Sequence, residues 1–263
     1  MIILALIFLG FVASTYGTII GAGGGFLFVP VLVTFYNISP ESAAATGLAI
    51  VFINAVAGLP IFFKQRRVLL RTGLLLAVGA FPGTFIGGEL VKYSPDAVFY
   101  SLFAVLLIGL GLFLSLKKPS QVNNQPTNSE ENRSLPQDKQ NSDHILNLWK
   151  LLGIGSGLGI VSSFFGIGGG WLLVPILTYG LGFSIKTATA TSIFSLALYS
   201  LVGLLPSIAT GAVHWSIVAW SGIGVLAGAQ TGAILSKKVK GVTITRLLSA
   251  LVIIMGVNMI FQI

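Results

Sequence analysis

Long apolar stretches follow one another along almost the whole chain, separated by short polar or basic loops. Most reach about 20 residues, the length that a helix needs to cross the hydrocarbon core of a bilayer. They lack the strict alternation of apolar and polar positions that barrel strands show, so the pattern predicts membrane helices. The predicted segments are 2–20, 24–36, 42–63, 68–91 and 97–116, followed by 148–165, 169–181, 187–207, 213–235 and 243–263.

The second segment of each half is too short to span a membrane as a straight helix. Segments 24–36 and 169–181 have about 13 residues each. At about 1.5 Å per residue such a helix reaches roughly 20 Å, less than the hydrocarbon core of about 30 Å. Both segments begin at a cluster of glycines. We therefore predict that the first two segments of each half form a broken or partly re-entrant hairpin.

The two halves repeat each other at an offset of 145 positions, without a gap. The run GAGGGFLFVP from Gly21 to Pro30 matches GIGGGWLLVP from Gly166 to Pro175. A stripe of glycines four residues apart in the fourth segment, which favours close helix packing, is also duplicated. Its members are Gly79, Gly83 and Gly87, matched by Gly224, Gly228 and Gly232. Such a duplication in an apolar chain predicts a transporter built from two structural repeats.

A polar segment divides the chain into a first repeat, residues 1–116, a linker, residues 117–147, and a second repeat, residues 148–263. The linker is rich in Asn, Gln, Ser and Pro, and its acidic and basic residues balance. It has almost nothing to bury, which predicts disorder. The apolar N-terminus lacks a positively charged beginning and aligns with the start of the second repeat, so we expect it to be a retained first segment.

Composition supports a membrane protein and argues against several other classes. Only 8% of the residues are charged and 54% are hydrophobic, whereas a soluble domain has about 25% charged residues. The net charge of +8 does not indicate nucleic-acid binding, because the basic residues outside the linker flank apolar runs. The chain contains no Cys, which excludes disulfides, thiolate metal sites and cysteine nucleophiles.

The basic residues predict that the two repeats have inverted topology. In the first repeat they cluster between the third and fourth segments, and in the second between the fourth and fifth. The clusters are Lys64, Arg66, Arg67 and Arg71, and Lys237, Lys238, Lys240 and Arg246. Inversion of a unit of five segments brings both clusters to one side, which the positive-inside rule makes cytoplasmic. We expect a protein of the cell membrane with a cytoplasmic linker and both termini outside.

The paired Gly-x-Gly-Gly-Gly-x-x-x-x-Pro signatures, the Ala- and Thr-rich stretch after each, and the duplication resemble the sulfite exporter TauE/SafE family. The resemblance covers the whole chain except the linker. It implies export of small sulfur-containing anions such as sulfite or organosulfonates, with the lipid bilayer as surroundings and no cofactor. It does not identify the substrate, and it leaves open whether the chain forms a homo-oligomer.

The glycine clusters are the first candidates for the substrate site. A helix that starts at glycine leaves backbone N–H groups unpaired and carries a partial positive charge, which suits an anion. Two such starts, related by the repeat, can hold an oxyanion near the midplane without a buried Lys or Arg. The alternative is that these glycines only allow helices to approach closely. The candidates are Gly23, Gly24, Gly25, Gly168, Gly169 and Gly170.

Hydroxyl and amide groups within the apolar segments are the second candidates. Thr46 and Thr191 are identical and equivalent in the repeat, Asn54 corresponds to Tyr199, and Gln230 lies in the second glycine stripe. Such groups donate to sulfite or sulfonate oxygens and leave an empty site neutral. The alternative is bonding between helices or back to a helix carbonyl.

Other functional classes stay open at this stage. A carboxylate or a metal ion is an alternative cargo, and a scaffold without transport is a third class. A membrane enzyme has little support, because Glu41, Glu89, Asp96 and His214 are not spaced as metal ligands or as an acid–base pair. We therefore expect no enzymatic activity and no bound metal.

Overall fold

The computed structural model describes residues 2–116, 140–239 and 241–260, and within these ranges the chain forms helices and contains no strand. The first five are α1 Ile2–Ile20, α2 Gly25–Tyr36, α3 Pro40–Lys64, α4 Leu70–Tyr93 and α5 Asp96–Leu116. The others are α6 Gln140–Phe165, α7 Gly170–Pro175, α8 Ile185–Ala209, α9 Trp215–Lys238 and α10 Gly241–Ile260. A π-helical turn, Ile176–Gly180, prolongs α7.

The prediction of an all-α membrane protein is confirmed for the described residues. Seven of the helices there are long and apolar enough to cross a bilayer, namely α1, α3, α4, α5, α6, α8 and α9. Gly25–Tyr36 and Gly170–Gly180 are shorter apolar helices. Residues 117–139 of the predicted linker lie outside the described residues. Residues 140–147 belong to α6, which therefore begins earlier than predicted.

The two repeats pack into each other. The largest contacts pair α4 with α6, α1 with α9 and α5 with α10. In the repeat, α4 is equivalent to α9 and α6 to α1, so the α4–α6 and α9–α1 contacts are equivalent. Helix α5 is equivalent to α10, and α3 to α8, and each of these two pairs is also in contact. The halves are therefore related by a pseudo-two-fold axis, and α3 and α8 of the two halves touch each other.

The glycine stripes make the closest helix contacts. A Cβ at Gly79, Gly83 or Gly87 of α4 would overlap the backbone of α6 at Leu152, Ser156 and Ile160 in turn. A Cβ at Gly224, Gly228 or Gly232 of α9 would overlap the backbone of α1 at Ile7, Phe11 and Thr15. Both series advance in the same direction along the two helices. Thus α4 runs parallel to α6, and α9 runs parallel to α1.

The helices α5 and α10 run in opposite directions. Ser249 Oγ donates to the Gly111 carbonyl oxygen at 3.1 Å and lies beside Ser115. Farther along α10, Gly256 packs against Ile108, which precedes Gly111 on α5. The contacts advance along α10 while they recede along α5, so these two equivalent helices are antiparallel.

Basic loops meet at one end of the bundle. Gln65 Nε2 donates to the Ala233 carbonyl oxygen at 3.1 Å, and Lys186 Nζ donates to the Lys237 carbonyl oxygen at 3.0 Å. These bonds join the α3–α4 connection and the first turn of α8 to the carboxyl end of α9. In the α3–α4 connection, partial burial lowers the pKa of the Arg67 guanidinium. The Glu89–Lys92 ion pair, at 2.7 Å, lies at the other end of α4.

Candidate functional site

The glycine clusters of the two repeats meet at the centre of the bundle. A Cβ at Gly23 would lie 3.0 Å from Val51 Cγ1 and 3.3 Å from Leu196 Cδ1. At Gly168 the corresponding distances, to the same two side chains, are 2.7 and 2.8 Å. Val51 of α3 and Leu196 of α8 are equivalent in the repeat and fully buried. The two clusters therefore flank one apolar pair, called here the central pair.

The backbone conformation explains why these clusters are glycine. Gly21, Gly23 and Gly24 have φ of 87°, 81° and 78°, and Gly166 and Gly168 both have φ of 66°. Side chains with a Cβ are strained in this left-handed region. These conformations end α1 and α6 and start α2 and α7 within four-residue connections.

Both helix starts at the clusters lack a side-chain cap. Gly24 is the N-cap of α2 and Gly169 is the N-cap of α7, and neither forms a side-chain cap hydrogen bond. The turn and cap hydrogen bonds include none donated by the N–H groups of Gly24 or Gly25. The first N–H groups of a helix have no partner within it and carry partial positive charge. The first repeat therefore presents the N–H groups of Gly24 and Gly25 at the centre, whereas in the second repeat the Gly170 N–H donates to the Gly168 carbonyl oxygen at 2.7 Å.

In the first repeat, a buried amide lies beside the cluster. Asn54 is fully buried, and its Oδ1 accepts hydrogen bonds from Ser14 Oγ and, at 2.8 Å, from Thr18 Oγ1. Its Nδ2 has no hydrogen-bond partner. Gly17, between the two hydroxyls on α1, packs against the backbone of Gly24. The amide thus keeps its two N–H donors free next to the start of α2.

In the second repeat, a phenol occupies the equivalent position. Tyr199 is 1% exposed, and its hydroxyl oxygen lies 3.2 Å from the position of a Cβ at Gly169. Ser162 and the Gly169 backbone are its polar neighbours, without a well-aligned hydrogen bond to either. The Ser162 and Ser163 hydroxyls are buried and lack partners as well. The phenol is therefore directed at the start of α7.

Further unpaired polar atoms surround this centre. Trp171 follows Gly170 directly, is fully buried, and its Nε1–H has no partner; the Thr189 hydroxyl likewise has none. The sequence did not single out Trp171, nor Ser14 and Thr18. The spacing of Ser14 and Thr18, four residues apart and hence on one face of a helix, was the signal that could have revealed them.

The structure gives Thr46 and Thr191 backbone partners. Thr46 Oγ1 donates to the Ser42 carbonyl oxygen at 2.7 Å and accepts from the His214 N–H at 3.1 Å. Thr191 Oγ1 accepts from the Leu69 N–H at 3.1 Å. Leu69 and His214 are the N-caps of α4 and α9 and are equivalent in the repeat. Each threonine therefore holds the start of a helix from the other repeat, and binding of substrate by either stays a prediction.

We expect Thr46→Val and Thr191→Val each to lower the free energy of unfolding by about 1 kcal/mol, because each removes the acceptor of a backbone N–H. Thr231→Val is the matched control, since Thr231 is exposed and bonds only to the Ala227 carbonyl of its own helix. Thermal unfolding in detergent measures the difference. A loss in the control equal to that in the two variants would contradict this role.

Other predicted site residues lie apart from the centre. Gln230 is exposed on the outer face of α9, beside the exposed side chains of Leu226 and Ile234. The structure therefore brings together the glycine clusters and Asn54, but not Gln230. No group of three or more His, Asp or Glu that could hold a metal ion occurs among the described residues.

The buried polar side chains of the described part of the chain carry no charge. They are Ser, Thr and Asn side chains, with the largest number of them on α8, together with the phenol of Tyr199 and the indole of Trp171. Around the glycine clusters, amide, indole and hydroxyl donors outnumber the hydrogen bonds that they form. Such a set of neutral donors can hold an anion through its oxygen atoms.

Known proteins are similar to this chain over most of its length. The model of the family "Sulfite exporter TauE/SafE" matches residues 6–259. The "Probable membrane transporter protein YunE" of Bacillus subtilis is 28% identical over 98% of this chain and 97% of its own length. "Probable membrane transporter protein MJ0441" of Methanocaldococcus jannaschii is 27% identical over 76% of this chain and 70% of its own. No solved structure matches the chain.

Proposed function

Because the chain belongs to the sulfite exporter TauE/SafE family and is a multi-pass membrane transporter, we propose that it carries small sulfur-containing oxyanions, such as sulfite or organosulfonates, across the cell membrane. One observation carries the proposal: two uncapped helix starts and several unpaired donors converge at a centre whose buried polar side chains are uncharged. Oxyanions accept hydrogen bonds at every oxygen, so this centre matches their chemistry.

The two repeats are inverted relative to each other in the membrane. Equivalent helices would be parallel if the pseudo-two-fold axis followed the membrane normal, and antiparallel if it lay in the membrane plane. The antiparallel contact of α5 with its equivalent α10 supports the second arrangement. The clustering of the basic α3–α4, α7–α8 and α9–α10 connections at one end supports a cytoplasmic location for that end. The linker is then cytoplasmic and both termini are outside.

The short helices α2 and α7 enter the membrane only part of the way and begin near its middle. Their length supports this, because each is a short apolar helix and each starts at a cluster that faces the central pair. The substrate is held there by N–H groups of the two glycine clusters, by Asn54 and by Tyr199. In the structure the Gly23 and Gly170 N–H groups donate to the carbonyl oxygens of Gly17 and Gly168, whereas those of Gly24 and Gly25 form no turn or cap hydrogen bond. Movement of one repeat against the other exposes the site to each side in turn. Since the cytoplasm is electrically negative, the membrane potential drives an anion outward.

A carboxylate is the second candidate cargo, because neutral donors bind any small oxyanion. The unpaired donors around the clusters do not distinguish a carboxylate from a sulfonate by charge. A carboxylate and a sulfonate differ in the number and geometry of their oxygen atoms, so a transport experiment can distinguish them.

Transport by the purified protein in proteoliposomes tests the proposal. We expect saturable uptake of at least one labelled sulfur anion from a panel of sulfite, sulfate, methanesulfonate, thiosulfate and acetate, measured with and without a pH gradient. Uptake of acetate alone would favour the carboxylate candidate. No flux above protein-free liposomes, with folded and inserted protein, would contradict transport of this class.

A matched pair of variants tests whether transport depends on the site between the glycine clusters. Tyr199→Phe removes the hydroxyl next to Gly169 and keeps the ring, and we expect it to weaken substrate binding by about tenfold, the value of one hydrogen bond to a charged group. Tyr93→Phe makes the same change where the side chain is 80% exposed and should leave transport unchanged. Equal transport by both variants would remove Tyr199 from the site.

A further inference from the structure

The central pair fills the space between the two glycine clusters. Val51 and Leu196 are both fully buried and belong to one cluster of packed apolar side chains. A Cβ at Gly25 would lie 2.5 Å from Val51 Cγ2, and a Cβ at the equivalent Gly170 would lie 2.6 Å from Leu196 Cδ1. Both distances are overlaps, so the glycines leave only the room that these two side chains occupy.

The pair lies halfway along the helices that carry it. Val51 is the twelfth of the 25 residues of α3, and Leu196 is the twelfth of the 25 residues of α8. Both helices are long and apolar enough to span a bilayer, and they contact each other. Because the two residues are equivalent in the repeat, the pseudo-two-fold axis passes between them. The two side chains therefore meet halfway between the ends of the bundle, one from each repeat.

Apolar side chains at such a point resist the passage of hydrated ions. An anion that moves from one glycine cluster to the other has to pass Val51 and Leu196, whose branched hydrocarbon groups form no hydrogen bonds. It would lose hydration water there without a replacement, and narrow apolar constrictions in membrane proteins exclude water and ions by dewetting. The closed pair is therefore a barrier to small hydrated anions.

We propose that Val51 and Leu196 form an apolar gate, which keeps water and small hydrated anions such as chloride out of the transport path while it is closed. Each repeat contributes one of the two side chains, so the movement of one repeat against the other also separates the pair. The proposal rests on the proposed function in one respect, namely that the substrate passes between the glycine clusters. The gate determines what the protein excludes, whereas the donors around it determine what the protein binds.

Chloride entry into proteoliposomes tests the gate without any sulfur anion. Leu196→Ala removes most of one side of the pair, and we expect the rate of chloride entry to rise at least about tenfold over that of the unmodified protein. Leu76→Ala is the matched control, because Leu76 is a leucine 1% exposed in a separate apolar cluster with Leu158 and Leu173. The control loses the same side-chain atoms and should remain as impermeable as the unmodified protein.

The outcome separates the gate from the proposed cargo. No increase in chloride entry through Leu196→Ala would overturn the gate, and so would an equal increase through Leu76→Ala. Chloride entry through Leu196→Ala in a protein that carries no sulfur anion would support the gate and contradict the proposed function. Saturable methanesulfonate uptake by the unmodified protein, with no chloride entry through Leu196→Ala, would do the reverse. If Leu196→Ala does not fold, Val51→Ala, which removes fewer atoms from the other side of the pair, decides in its place.

Opening of the gate can be followed at a single introduced thiol, because the chain contains no Cys. Val51→Cys replaces one small apolar side chain by another and is expected to fold. We expect a small water-soluble thiol reagent to modify it at least about tenfold faster during methanesulfonate transport, because separation of the pair admits water. Ile50→Cys is the control, since Ile50 precedes Val51 on α3, is equally buried and lies in a different apolar cluster. An unchanged rate at Val51→Cys in transporting protein, or an equal acceleration at Ile50→Cys, would contradict opening of the pair.

Discussion

Gly83→Ala is expected to prevent stable folding, whereas Gly88→Ala in the same helix is expected to be tolerated. A Cβ at Gly83 would overlap the Ser156 carbonyl oxygen and lie 2.9 Å from the Ile160 nitrogen. Both are backbone atoms of α6, so neither can rotate away, and α4 and α6 would have to separate. Overpacking costs about 1–3 kcal/mol even where side chains can adjust, and backbone overlap costs more. A Cβ at Gly88 would meet nothing within 4 Å.

The amount of monodisperse protein in detergent and its unfolding temperature measure this difference. The repeat provides an internal check, because Gly228→Ala would produce the same overlap between α9 and Phe11 of α1. We expect Gly228→Ala to behave like Gly83→Ala. If Gly83→Ala were as stable as Gly88→Ala, the close contact of α4 with α6 would be wrong.

Gly170→Ala is expected to lower transport at least about tenfold, equivalent to at least about 1.4 kcal/mol. Its Cβ would overlap the Gly21 carbonyl oxygen of the other cluster and lie 2.6 Å from Leu196 Cδ1. That carbonyl also accepts a hydrogen bond from Ser192 Oγ at 2.8 Å. The methyl group would therefore push the two helix starts apart and disturb the geometry of both sets of donors.

Gly180→Ala is the control for this effect, because its Cβ would come no closer than 3.9 Å to Ile176 Cγ2 at the far end of the same short helix. Initial uptake of labelled substrate, normalised to inserted protein, compares the two variants. Normal uptake by Gly170→Ala would show that the approach of the two clusters is not required for transport.

The helices and their equivalence in the two repeats can be recognised from the amino-acid sequence. The thickness of the bilayer sets the length of the apolar runs, so the segments could be read directly, and they agree with the observed helices except that α6 begins earlier. Duplication identified equivalent positions, and the glycine stripe correctly predicted close packing. It did not reveal the partners: each stripe packs against a helix of the other repeat, which no local pattern encodes.

Residues at equivalent positions of the two repeats also have different environments. Gly24 has a φ of 78°, but its counterpart Gly169 has a φ of −60°, because the chain turns differently after α1 and after α6. Asn54 and Tyr199 share a position and present different donors. Thr46 and Thr191 were predicted as site residues because they are identical and equivalent. In the structure, the hydroxyl of each accepts a hydrogen bond from the backbone N–H at the start of a helix from the other repeat.

The position of the centre follows from the packing of the two repeats and not from any local pattern. Val51 and Leu196 are two among many apolar residues, and their importance follows from the approach of both glycine clusters to them. Gln230 sits in a glycine-rich stripe, yet it is exposed on the outer face of α9. Helix formation depends on neighbours along the chain and on the bilayer, which the sequence displays. Which face of a helix is buried, and which helix it contacts, depends on surfaces that meet only when distant helices pack together.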